Sequence, residues 1–186
     1  MKPTQELVDE HNGIKRMLSV LTEVARRLDA GEAVEPADME QMIDFIRGFA
    51  DRCHHGKEED LLFVAMEEAG IPRQGGPIGV MLHEHTLGRG YVQGMAEGLA
   101  EYQAGGAAAA RIAENARGYV ALLTQHIHKE DNILYPMADR VLTAAKQAEL
   151  LEGFARVEQE RVGPGKHEAY HALLDRLEAA YLHAAH

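Results

Sequence analysis

Apolar positions recur at alternating steps of four and three over four long stretches, the spacing of one buried face on an α-helix. The first stripe is Leu7, His11, Ile14, Leu18, Leu21, Ala25 and Leu28, with Gly31 the expected stop. The second opens near Pro36, a residue suited to a first helical turn. It carries Ile46, Ala50, His54, Glu58, Leu61 and Ala65, and stops before Gly70-Ile71-Pro72 and Gly75-Gly76-Pro77. The third runs through Ile78, Leu82, His85, Arg89, Val92, Ala96 and Leu99 to Gly105-Gly106. The fourth holds Ile112, Ala116, Tyr119, Leu123, His126, Glu130, Ile133, Met137 and Val141, and Pro136 is expected to kink or fray it late. A further helical stretch, 147–185, is broken at Gly163-Pro164-Gly165. No run of β-branched residues alternates with period two, so no strand is predicted. The expected architecture is all-α: an up-down-up-down four-helix bundle over residues 1–144, and a C-terminal helical extension over 145–186 packed on it.

Six residues break the apolar stripes: His11, His54, Glu58, His85, His126 and Glu130. Burying a bare carboxylate or imidazole is costly unless something satisfies it. His11 and His54 lie at nearly equal distances from the first loop, and His85 and His126 from the third. At about 1.5 Å of rise per residue, antiparallel helices bring each pair to one level. In His54-x-x-x-Glu58 and His126-x-x-x-Glu130 the two side chains share a face one turn apart. The segments around them read as internal repeats, His54-His55-Gly56-Lys57-Glu58-Glu59-Asp60-Leu61-Leu62-Phe63 against His126-Ile127-His128-Lys129-Glu130-Asp131-Asn132-Ile133-Leu134-Tyr135. A two-fold set of donors suits a pair of metal ions. Imidazole and carboxylate without thiolate suit iron, manganese or zinc. Two carboxylates can each span two ions while the imidazoles cap the ends.

Composition narrows the remaining classes. The chain has 186 residues, 19 Lys plus Arg against 30 Asp plus Glu, and a formal charge of −11, so nucleic acid is not an expected partner. No stretch approaches about 18 consecutive apolar residues, and no membrane span is predicted. One cysteine, Cys53, cannot close an internal disulfide, and Met1-Lys2-Pro3-Thr4-Gln5-Glu6 carries no apolar signal core. A cytoplasmic location is the expectation.

Glu10-His11, His54-x-x-x-Glu58-Glu59, Glu84-His85 and His126-x-x-x-Glu130 followed by Asn132-Ile133-Leu134-Tyr135-Pro136 together resemble the hemerythrin family of cation-binding four-helix bundles, over roughly residues 5–142. The resemblance implies a non-heme di-iron centre bridged by two carboxylates, with O2, peroxide or nitric oxide as small ligands. Oxygen-carrying members have His-x-x-x-His on the third helix and end the fourth-helix motif in Asp. Here Met81 stands one turn before His85, and Glu130 fills the carboxylate position. The pattern is closer to the branch that includes iron-cluster repair proteins and an iron-sensing domain.

The expected function is therefore small-ligand binding or chemistry at two iron ions, with zinc or manganese able to occupy the same donors. An iron donor or sensor module is the alternative. His55, which shares a face with Asp51 and Glu59, is read as an outer partner of the metal, an additional ligand or a surface residue, and His128 as an outer partner or a surface residue; His83 is read as a surface residue, and Cys53 as a small core hydrophobe. His167-Glu168-Ala169-Tyr170-His171 matches the His-Glu-x-x-His zinc-hydrolase pattern but has no third ligand six residues on, where Leu177 stands. His167 is instead considered as a further ligand at the position left by Met81, with Tyr170 as its neighbour. Gly90, Gly94 and Gly98 suggest close approach by the C-terminal helix or by the second subunit of a homodimer.

Overall fold

A computed structural model describes residues 1–183 apart from Gly106 and Pro164. Parts of the Gly105-Gly106 and Gly163-Pro164-Gly165 breaks, and residues 184–185 of the last predicted stretch, therefore lie outside the described residues. Six helices and no strand occur among the described residues. Helix α1 is Pro3–Asp29. Helix α2 spans 36–68: it begins as Pro36–Phe45, passes through π-helical segments Ile46–His55 and Glu58–Leu62, and ends as Phe63–Glu68. Helix α3 is Pro77–Gln103. Helix α4 runs from Ala109–Lys129 through π-helical Glu130–Leu134 into Tyr135–Val141. Helix α5 is Ala144–Val157, continued by π-helical Glu158–Val162, and α6 is Lys166–Tyr181. Pro3, Pro36 and Pro77 each open a helix where a missing N–H is not needed.

Polar contacts fix which helices lie together. Lys2, just before α1, and Thr4 in its first turn bind Asp139 near the end of α4, and Asp29 pairs with Arg117 near its start. Gln103 of α3 reaches Glu40 of α2, while Arg89, lower on α3, reaches Asp51 and Glu59. The apolar side chains form two clusters. The larger includes Leu21, Leu28, Phe45, Ile46, Met95, Leu99 and Ile112; the smaller includes Leu7, Leu62, Phe63, Ile78, Leu134 and Phe154. Each buried Leu or Phe contributes about 1.5–3 kcal/mol. Between the clusters lies a polar layer, described below. Phe154 of α5 closes the smaller cluster, and Tyr170, Leu174, Leu177 and Tyr181 of α6 join the larger one. Arg16 on α1 clasps Asp175 and Glu178 of α6.

The observed stripes differ from the predicted ones at several positions; on α2, for example, Leu62 is fully buried and Leu61 only partly. Ile133 is 52% exposed, and Leu134, Tyr135 and Ala138 are buried instead. The π turn is the cause: Tyr135 N–H donates to Glu130 O, five residues back, and the added residue advances the inner face by one position. Pro136 follows this turn without ending α4. On α3, Met81 and Gly88 are buried where Leu82 and Arg89 were expected, and Arg89 is exposed and paired with acids of α2. Gly94 and Gly98 meet Asn115 and Ile112 of α4 rather than the C-terminal helix, and Gly90 meets nothing within 4 Å.

Candidate metal centre

Helices α1, α2, α3 and α4 contribute His11, His54, His85 and His126 to the polar layer, each at most 1% exposed. Their Nε2 atoms face one another in pairs, His11 to His54 at 3.1 Å and His85 to His126 at 3.1 Å. Their Nδ1 atoms face outward, each onto a carboxylate: His11 onto Asp131 at 2.7 Å, His54 onto Glu10 at 2.8 Å, His85 onto Glu59 at 2.7 Å and His126 onto Glu84 at 2.8 Å. An Nδ1–H held by a carboxylate leaves the Nε2 lone pair pointing inward, the arrangement of a carboxylate–histidine–metal relay. Glu58 and Glu130, both fully buried, lie between the pairs. Glu130 approaches His11 at 3.2 Å and His126 at 2.9 Å, and Glu58 approaches His85 at 3.4 Å and His54 at 3.8 Å.

The two halves of the centre repeat one another. Glu10-His11 and Glu84-His85 each give one inner imidazole and one outer carboxylate. Glu58-Glu59 and Glu130-Asp131 each give one inner carboxylate and one outer one. Lys57 binds Glu10, and Lys129 binds Glu84. Both repeats place a π turn at the inner carboxylate, Glu58–Leu62 and Glu130–Leu134. The extra residue in that turn lets adjacent carboxylates serve different partners, one inward and one across to the neighbouring helix.

The donor set fits a cation. Two lone-pair nitrogens about 3 Å apart repel unless a proton or a metal lies between them. Glu58 Oε2 and both carboxylate oxygens of Glu130 are buried without a hydrogen-bond partner, as is His55 Nε2. Buried polar atoms are rarely orphaned in a folded protein. One ligand atom from each of His55, Glu58, His85 and His126 fits within 4.8 Å of the others, and so does one from each of His11, His54 and Glu130. Burial opposes charge on His11 and His85, but carboxylates outweigh it. Asp131 and Glu130 push His11 up to about 9, and Glu130, Glu58 and Glu59 push His85 up to about 11.

All six stripe residues thus meet in one layer. His55 is buried, so the surface reading of it is corrected. Glu59 lies outside the inner layer, where it joins His85 Nδ1 to Arg89. Tyr135, within the fourth-helix motif but not among the expected donors, has a hydroxyl that donates to Glu58 Oε1 at 2.8 Å and stands 3.3 Å from His11 Nε2. Its position within the fourth-helix repeat was the available signal, hidden by the shift in register. His167 is not brought to this layer. It faces His171, Nε2 to Nε2 at 3.0 Å, and Glu158 on α5, and its ring packs edge-on against Phe49. Tyr170 is buried against Phe45 and Phe49, away from the centre. Among the described residues no third donor joins His167 and His171, as a zinc-hydrolase site would need. His83 and His128 are exposed, and Cys53 is buried, its thiol pushed up to about 12 by burial.

Comparison with known proteins agrees with this geometry. The hemerythrin HHE cation-binding domain matches residues 2–138. The chain belongs to the hemerythrin HHE cation-binding family. Its HHE domain holds all six stripe residues, whereas His167 and α6 lie beyond the matched region. Uncharacterized proteins of Mycobacterium tuberculosis and Mycobacterium bovis are each 26% identical over 163 residues, covering 86% of this chain. The chain spans 62% of the length of these relatives. No solved structure matches it significantly. No helix of this hemerythrin-family chain, among the described residues, is long and apolar enough to cross a membrane.

Proposed function

We propose that residues 1–144 form an up-down-up-down bundle holding two iron ions, and that a small ligand such as O2, peroxide or nitric oxide binds or reacts there. His11 and His54 would cap one ion, His85 and His126 the other, and Glu58 and Glu130 would span the pair. The observation that carries this reading is the convergence of buried Nε2 atoms, each with its Nδ1 committed to an outer carboxylate, on the buried Glu58 and Glu130 carboxylates, three of whose oxygens lack a hydrogen-bond donor. Iron in such a set supplies a redox-active Lewis acid open to a small molecule.

The chain's own groups prepare the ligand position. The outer acids Asp131, Glu10, Glu59 and Glu84 fix the tautomer and orientation of each imidazole. Burial, with Glu130 and Glu58 beside it, raises the Tyr135 hydroxyl well above its usual range, so it stays a proton donor at the His11 side. A cavity of about 180 Å³ between α2 and α3, lined by His55, His85, Gly88, Arg89 and Tyr119, offers a route for a small molecule to the edge of the layer.

Absorption spectra of ferrous-loaded protein, before and after exposure to air, peroxide or nitric oxide, test the reading. A new visible band for at least one of the three is expected, with iron retained. Release of both ions to a chelator on oxidation, with no ligand-dependent band, would favour iron delivery instead.

A further inference from the structure

We propose that His55 is a seventh protein donor to the metal pair, binding through Nε2 beside His85, His126 and Glu58, so that the two ions have unlike ligand sets. The inference rests on the metal-site reading above and adds a residue to it.

Three observations converge. First, His55 is 4% exposed, and its Nδ1 lies 3.3 Å from Asp51 Oδ1, which Arg89 holds in place from α3. Donation from Nδ1 to Asp51 leaves the lone pair on Nε2, and that atom has no partner. Leaving a buried polar atom unpaired is costly, so a packing role alone would be better filled by an apolar side chain. Second, the internal repeat supplies that apolar counterpart. The residue after His126 is Ile127, 2% exposed in the core, whereas the residue after His54 is histidine. The departure from two-fold repetition is a polar one, on the side of the centre where its Nε2 can join Glu58, His85 and His126 within 4.8 Å. Third, the backbone is built for it. Residues 54 and 55 are neighbours and would diverge by about 100° on a regular helix. The π-helical segment Ile46–His55 turns both inward, and the His55 ring lies 3.9 Å from the His85 ring at an interplanar angle of 16°.

One group then offers four donors (His55, Glu58, His85, His126) and the other three (His11, His54, Glu130). His55 would thereby supply a donor that the six motif residues alone do not, on the Gly88 and Arg89 side of His85.

The test uses the full chain stripped of metal and titrated with cobalt(II), whose visible spectrum reports coordination number and ligand type. Wild-type protein should bind two ions. His55→Gln should keep one ion near wild-type affinity, weaken the other at least tenfold and change its visible band. His55→Glu should recover most of that affinity with a band of its own. Nitrogen-15 NMR of zinc-loaded wild-type protein reads the same point without a variant: five coordinated histidine Nε2 atoms are expected. Four coordinated Nε2 atoms with two ions bound, or a folded His55→Gln protein with wild-type affinities and spectrum, would overturn the role of His55 alone. Failure of wild-type protein to take up metal would overturn the metal-site reading and this inference with it.

Discussion

Lys57 has no exposed surface, and its ammonium lies 2.5 Å from Glu10 and 2.7 Å from Glu6. Burial disfavours this charge, but Glu10 more than compensates, and the ammonium is held well into its charged range. Glu10 in turn holds His54, so Lys57 supports the metal layer from one step outside it. Removing one member of a buried ion pair strands the other at about 3–5 kcal/mol. Lys57→Met should therefore lower unfolding free energy by that order, read by urea denaturation. Lys129 binds Glu84 in the equivalent place but is one-third exposed, so Lys129→Met should cost less than half as much. Among the acids, rank should follow contact. Glu58→Ala and Glu130→Ala remove oxygens that would touch both ions and should weaken metal binding by well over 100-fold. Glu59→Ala removes only the partner of His85 Nδ1 and should fall in the 10- to 100-fold range of outer contacts. Equal losses in all three, measured by chelator competition, would contradict the assigned geometry.

At the scale of elements, the π turns separate what could be read in the sequence from what could not. Steps of three and four located α1, the start of α2, α3 and most of α4, because regular helices bury one face. They also exposed the six polar residues, since polar groups on an apolar stripe need a common cause. The same steps misplaced Ile133, because it follows an inner carboxylate at which the helix takes one extra residue. His55 was obscured in the same way, since a regular helix turns it away from His54. No local composition announces such a turn. The α3–α4 contact makes a different kind of test. A Cβ on Gly98 would lie 2.9 Å from Ile112 Cγ1, a buried side chain with little room to shift. Gly98→Val should destabilise by about 1–3 kcal/mol through overpacking, whereas Gly90→Val, where nothing lies within 4 Å, should not. Thermal unfolding of the two variants separates them.

For the whole molecule, metal and protons compete for one space. In metal-free protein the folded-state values of His11 and His85, about 9 and about 11, lie above the unfolded imidazole value of 6.5. Protonation at these two sites therefore stabilises the metal-free fold fully below about pH 6.5, and that contribution fades as pH rises through 9 and then 11. Metal-free protein should lose stability, on the order of a few kcal/mol, between pH 7 and 10, while metal-loaded protein should change much less over that range. By the same linkage, metal binding at pH 7 should release about two protons and weaken as pH falls. The chain outside the bundle acts through packing: α5 closes one end of the layer with Phe154, and α6 covers the α1–α2 face with Tyr170, Leu174 and Leu177. The central claim, that two ions share one buried His/Glu layer, is met most directly by metal analysis of protein prepared without air, with ferrous iron supplied to the stripped chain. Two irons per chain, falling to one or none in Glu58→Ala and Glu130→Ala, are the expected result. A single tightly held zinc, with no second ion bound even after reconstitution, would contradict it.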